Sequence, residues 1–132
     1  MSFKGSVAGH IARVTLEERL VKLHDDRDGA MNRELAARRN SADPQIKSAA
    51  EKTVSEHTRM LPLTLETKRW YLIRIEIAGD QMRLMLDDHP IGWLKASGLA
   101  HATKPDLKIS VSGRQALFDD LRIWSARKSA SP

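Results

Sequence analysis

The chain has 132 residues, 41% of them apolar and 30% charged, which is the profile of one globular domain with a core of its own. It has no cysteine, which excludes disulfides and thiolate zinc sites, and no apolar run near the roughly eighteen residues of a membrane-spanning helix. The net charge of +5 is spread along the chain, with Lys and Arg interleaved among Asp and Glu. No basic stripe is interleaved with aromatics, so nucleic acid is not the expected partner, and an anionic polysaccharide stays open.

Met1 to Gly9 lacks the apolar centre of a secretory signal. Two readings follow, a cytoplasmic protein or an internal part of a longer one. His10 to Leu16 alternates as a strand with Ala12, Val14 and Leu16 on one face, and Leu20 to His24 reads as a second strand. Glu17-Glu18-Arg19 connects them as a hairpin, and Asp25-Asp26-Arg27-Asp28-Gly29 follows as an exposed acidic turn.

The period changes at Ala30. Residues 30–39 are rich in helix formers. Asp43-Pro44 then supplies an N-cap and a first-turn proline for a second helix over 44–56. Its apolar stripe of Ile46, Ala49, Ala50 and Val54 is thin, so the pair is expected as a helical insertion, about 30–56, lying over a β-domain.

Strand signals resume after His57. Leu61, Leu63 and Leu65 alternate, with Pro62 marking an edge strand or a bulged position. Trp70 to Ile77 is the strongest strand pattern: Tyr71, Ile73, Ile75 and Ile77 face one way, Trp70, Leu72, Arg74 and Glu76 the other. Ala78 to Gln81 turns into Met82, Leu84 and Leu86, and Asp87-Asp88-His89-Pro90 turns into Ile91 to Leu94. After a loop over 95–105, Leu107, Ile109 and Val111 alternate, Ser112-Gly113-Arg114 turns, and Ala116 to Trp124 closes the set. Short strands with turns every 8–12 residues or so define an all-β antiparallel sandwich. The tail, 127–132 with Ala126 before it, is expected to fray.

The order Trp70-Tyr71, Glu76-Ile77, Ala78-Gly79-Asp80, Leu86-Asp87-Asp88, Leu107 to Val111, Gly113 and Phe118-Asp119-Asp120-Leu121-Arg122-Ile123-Trp124 resembles the C-terminal portion of a concanavalin A-like jelly roll. It is most similar to the 3-keto-disaccharide hydrolase domain, related to family 16 glycoside hydrolases and laminin G-like modules. The resemblance covers about residues 58–124 and implies a jelly-roll-type sandwich over 1–126. The early strands of that fold are missing, since Phe3 to Leu16 matches its middle. Self-association or a longer parent chain is therefore expected, and by resemblance a periplasmic or secreted parent. The hairpin reads Asp87-Asp88 where Asp-Gly is usual.

The resemblance implies a carbohydrate-directed domain, either glycan-binding or part of a glycoside hydrolase. Family 16 hydrolases place a carboxylate pair at alternating strand positions, as acid and nucleophile. Neither Glu-x-Asp-x-x-Glu nor Glu-x-Asp-x-Glu occurs, and Asp119 and Asp120 as neighbours point to opposite faces. No catalytic pair is assigned. Asp119 and Asp120 are expected in structural contacts with Arg122 or Arg114. Trp93, beside Gly92 in a short strand, is the candidate for sugar stacking, while Trp70 and Trp124 are expected to anchor the core. Arg74, Glu76 and Arg83 either pair with one another, within and across strands, or lie on a concave sheet face that binds sugar hydroxyls or sulfates. The five histidines show no metal-ligand spacing, and no metal or other cofactor is expected. Calcium, common in concanavalin A-like folds, would have only Asp25, Asp26 and Asp28 to hold it. The alternative function is a non-enzymatic structural or protein-interaction module of a larger secreted protein.

Overall fold

The period-two segments pair into two antiparallel sheets. A computed structural model of the chain describes residues 1–5, 9–101, 104, 106–111 and 115–124. The strands are β1 (Ser2–Gly5), β2 (Gly9–Leu16), β3 (Leu20–Asp25), β4 (Thr58–Pro62), β5 (Ile73–Ala78), β6 (Gln81–Leu86), β7 (His89–Lys95) and β8 (Asp106–Lys108). One sheet has the order β4-β3-β2-β1-β8, the other β5-β6-β7. The molecule is an all-β antiparallel sandwich with a helical insertion between β3 and β4.

Register follows the apolar alternation. Val14 lies opposite Leu23 and Leu16 opposite Val21, so the β2–β3 hairpin turns its aliphatic side inward as one surface. From the smaller sheet Met82, Leu84 and Leu94 face it, with Ile73, Ile75 and Ile77 packed against them. Leu99, in the 3-10 turn Ser97–Ala100, is fully buried between the sheets. β4 is an edge strand, the one place where Pro62 leaves no ladder bond unmade.

The insertion comprises α1 (Arg33–Arg39) and α2 (Pro44–Glu56). Asn32 caps α1 by accepting the Leu35 N–H at 3.1 Å. Asp43 caps α2 through the Gln45 N–H at 2.9 Å, and Pro44 sits in its first turn. Only Leu35 and Ala50 of the two helices are buried, in keeping with the thin stripe.

The structure corrects the sequence reading at three places. β5 begins at Ile73, not Trp70, because the Asp87 carboxylate captures the chain just before it. Asp87 Oδ1 accepts the Leu72 N–H at 2.9 Å, and the Asp87 N–H donates to Leu72 O at 2.8 Å. Trp70 is left exposed instead of anchoring the core. The strand expected over Leu107 to Val111 ends at Lys108. Residues 115–124 form no strand. Asp120 takes φ 51, its carboxylate accepts Arg122 Nε at 3.0 Å, and its own N–H donates to Asp119 Oδ1 at 2.8 Å. This local turn replaces sheet pairing, and Leu117, Ile123 and Trp124 are 71, 71 and 70% exposed. The turn at Ser112-Gly113-Arg114, any contact of Arg114, and the tail Ala126 to Pro132 lie outside the described residues.

Gly98 and the open segment give opposite expectations for stability. A Cβ at Gly98 would overlap the Asp25 carboxylate, which protein donors hold in place. Gly98→Ala is expected to cost about 3 kcal/mol in urea unfolding. Replacing Leu117, Leu121 and Ile123 together by serine should shift stability by less than about 1 kcal/mol. Were they core residues, each loss would cost about 2–5 kcal/mol. A large loss in the triple variant would place that segment in the core after all.

Candidate functional site

The acidic turn after β3 is interior, not exposed. Asp25 and Asp26 are 1 and 0% exposed. Asp25 Oδ2 lies 2.7 Å from His57 Nδ1 and accepts the Gly98 N–H at 2.9 Å, while Oδ1 accepts the Asp28 N–H at 3.1 Å. Asp26 receives Arg13 in a two-pronged pair, Nε to Oδ2 at 2.9 Å and Nη2 to Oδ1 at 3.1 Å. Asp28 accepts the Ser97 hydroxyl at 2.7 Å. Buried carboxylates need such donors, and here they are all from the protein. The three aspartates therefore do not present an open oxygen cluster that fits a calcium ion.

An Asp–His pair is also the orienting half of a nucleophilic site. Among the described residues no hydroxyl hydrogen-bonds to the His57 imidazole. The pair reads as a tie between the end of β3, the C-terminus of α2 and the 3-10 turn.

His24 sits on the sheet side that carries Arg13. It is buried, with Nδ1 unpartnered and Nε2 3.4 Å from Thr15 Oγ1. Burial, then the nearby Arg13 charge, lowers its pKa to about 4.

The outer face of the smaller sheet holds the residues expected at a sugar site. Glu76 lies opposite Arg83, and Arg83 opposite Trp93, in one line across β5, β6 and β7. Arg83 Nε donates to Glu76 Oε2 at 3.1 Å, with Nη2 on the same oxygen. Arg74 bridges Asp88 Oδ1 at 3.1 Å and Glu76 Oε1 at 3.9 Å. Trp93 is 52% exposed. The structure thus places Trp93, Arg74, Glu76 and Arg83 on one face, and the cross-strand ion pairs are formed as well.

Arg59 was not visible as part of this face. It belongs to β4 of the other sheet, and its guanidinium carbon stands 6.0 Å from the Trp93 ring centroid. Gly92 makes this approach possible, since a Cβ there would overlap the Leu61 side chain of β4. A glycine beside Trp93 is the signal in the sequence, but it does not say which strand comes close.

The Asp87-Asp88 turn joins that face to a cleft of about 300 Å³. Both residues take positive φ, 49 and 64, as a two-residue primed hairpin turn demands. Arginines pin both carboxylates: Arg69 Nη2 is 3.2 Å from Asp87 and Arg74 Nη2 3.1 Å from Asp88. In the cleft Arg69 also lies over the Tyr71 ring at 4.6 Å and near Glu66 at 3.7 Å. Sequence reading had assigned Tyr71 to the core face of a strand that starts later.

In comparisons with known proteins no family model matches the chain, and no curated protein or solved structure matches it significantly.

The buried His24 sets a pH dependence. Its folded-state pKa, about 4, lies below the ordinary 6.5, so the unfolded chain takes up the proton first. Its contribution is full above pH 6.5 and is lost as pH falls towards 4. Wild type should lose about 3 kcal/mol more than His24→Phe over that interval, read from urea midpoints at several pH values. Parallel pH profiles for the two proteins would refute this.

Proposed function

We propose that the chain is a carbohydrate-directed module that binds glycan on the outer face of its smaller sheet. The observation that carries this is Trp93: a half-exposed indole in direct register with an Arg83–Glu76 pair. An indole face supplies apolar stacking for the C–H side of a pyranose ring, and fixed guanidinium and carboxylate groups beside it match sugar hydroxyls. Resemblance to the 3-keto-disaccharide hydrolase type of concanavalin A-like domain supports the same substrate class. We assign binding and no turnover. Glu76 and Asp88, the carboxylates that pair with Arg74 there, are each engaged by arginine, and neither Glu-x-Asp-x-x-Glu nor Glu-x-Asp-x-Glu, the acid-and-nucleophile spacing, occurs in the sequence.

A second reading, a protein-interaction module, is favoured by one feature. Leu117, Phe118, Leu121, Ile123 and Trp124 are all exposed, a larger apolar display than a solitary domain ordinarily carries.

Titration of the full chain with neutral and acidic oligosaccharides, followed by calorimetry, tests the first reading. Trp93→Ala should weaken glycan binding about 10-fold or more and leave the melting temperature unchanged within roughly 2 °C. Silence of the wild type towards every glycan at millimolar concentration would overturn the proposal and leave the second reading in place.

A further inference from the structure

Resting on the glycan-binding reading above, we infer that the ligand of the Trp93 face is an anionic glycan whose carboxylate or sulfate is bound by Arg59. The charges around Trp93 decide this. Arg74 is balanced by Asp88 and Glu76, Arg83 by Glu76, and Lys95 approaches Asp80 at 3.9 Å. Arg59 makes no ion pair among the described residues; its one contact of this kind is the Trp93 ring. It is exposed on the edge strand β4, so its charge is neither neutralised nor buried.

An unpaired guanidinium beside an exposed indole is a two-part receptor. The ring takes the apolar side of a sugar, and the planar fork of donors takes an oxyanion attached to the same sugar. A neutral glycan would use only the first part. The two parts lie on β4 and β7, strands of different sheets that pack against each other, and neither belongs to a loop. The net charge of +5 adds a weak attraction for polyanions, but it selects no site; Arg59 does.

The test uses the full chain and three matched probes: oligogalacturonate for carboxylate, a chondroitin sulfate oligosaccharide for sulfate, and a neutral oligosaccharide of the same length. At least one acidic probe should bind about 10-fold more tightly than the neutral one, and the preference should shrink as salt rises. Arg59→Gln should abolish the difference between acidic and neutral probes, both measured on that variant, and Arg59→Lys should keep part of the preference. Both substitutions lie on an exposed edge, and an unchanged melting temperature verifies the fold. Equal binding of acidic and neutral probes, or a preference that survives in Arg59→Gln, overturns this inference and leaves glycan binding standing. Equal competition by polyglutamate shows that charge alone is read and overturns it too. No binding by any sugar overturns both readings.

Discussion

The carboxylate of Asp25 is the constraint on which the rest of the architecture depends. It takes a hydrogen bond from the helical insertion through His57, from the 3-10 turn through the Gly98 N–H, and from its own turn through the Asp28 N–H. The Ser97 hydroxyl on Asp28 and the Asp25 N–H on His57 O join the same segments beside it. Residues 26–57 leave and return to the larger sheet, and residues 97–100 descend from the smaller one and insert Leu99 between the two. A fully buried carboxylate is costly unless each lone pair finds a donor. That cost gives specificity: only when insertion and plug are both seated is Asp25 satisfied. Gly98 belongs to the same device, because only a residue without a side chain brings its N–H against that carboxylate.

Through the plug, this interior tie sets where the two sheets lie against each other. β4 and β7 pack against each other, with the Leu61 side chain against Gly92, and the β4 guanidinium of Arg59 lies over the β7 indole of Trp93. The surface feature thus inherits its geometry from two glycines and a buried acid, not from residues that would touch a ligand. Asp87 and Asp88 act in a similar way at the other end of the smaller sheet. Their left-handed backbone makes the turn, and their side chains, held by Arg69 and Arg74, fix two arginines whose long stems would otherwise wander.

The alternating segments were legible because period-two burial has one solution. Val14, Val21, Leu23, Met82 and Leu84 had to face a common core, and the cap Asp43 begins the second helix in the stretch where the period changes; the Asn32 cap that starts the first helix three residues later than Ala30 was not read from the sequence. The pairing of Glu76 with Arg83 was legible for the same reason, since hairpin register follows from strand parity; the place of Trp93 opposite Arg83 was not. Burial of a charge was not legible. Asp25-Asp26-Arg27-Asp28-Gly29 has the composition of a solvated turn, and only Arg13, His57 and Gly98, all remote in sequence, turn it into an interior network. Arg59 was hidden likewise, because its partner lies across a sheet-to-sheet contact that no local pattern encodes. Residues 115–124 fail in the opposite sense. Their alternation is a sound strand pattern, but a pattern makes a strand only where an edge receives it, and the captured carboxylate of Asp120 closes a local turn instead.

The distribution of acids and bases over the molecule then limits the chemistry that its surface can do. Asp25, Asp26 and Asp28 are committed to the interior tie, and Asp87, Asp88 and Glu76 each hold an arginine in place. The pairing also stiffens the face, fixing Arg74 and Arg83 around the indole before any ligand arrives, which lowers the ordering cost of binding. Arg59 differs, a cation at the indole that makes no ion pair among the described residues. Among the described residues the Trp93 face thus combines arginines fixed by carboxylates with one guanidinium that has no ion pair, and the proposed recognition of an anionic ligand rests on that contrast.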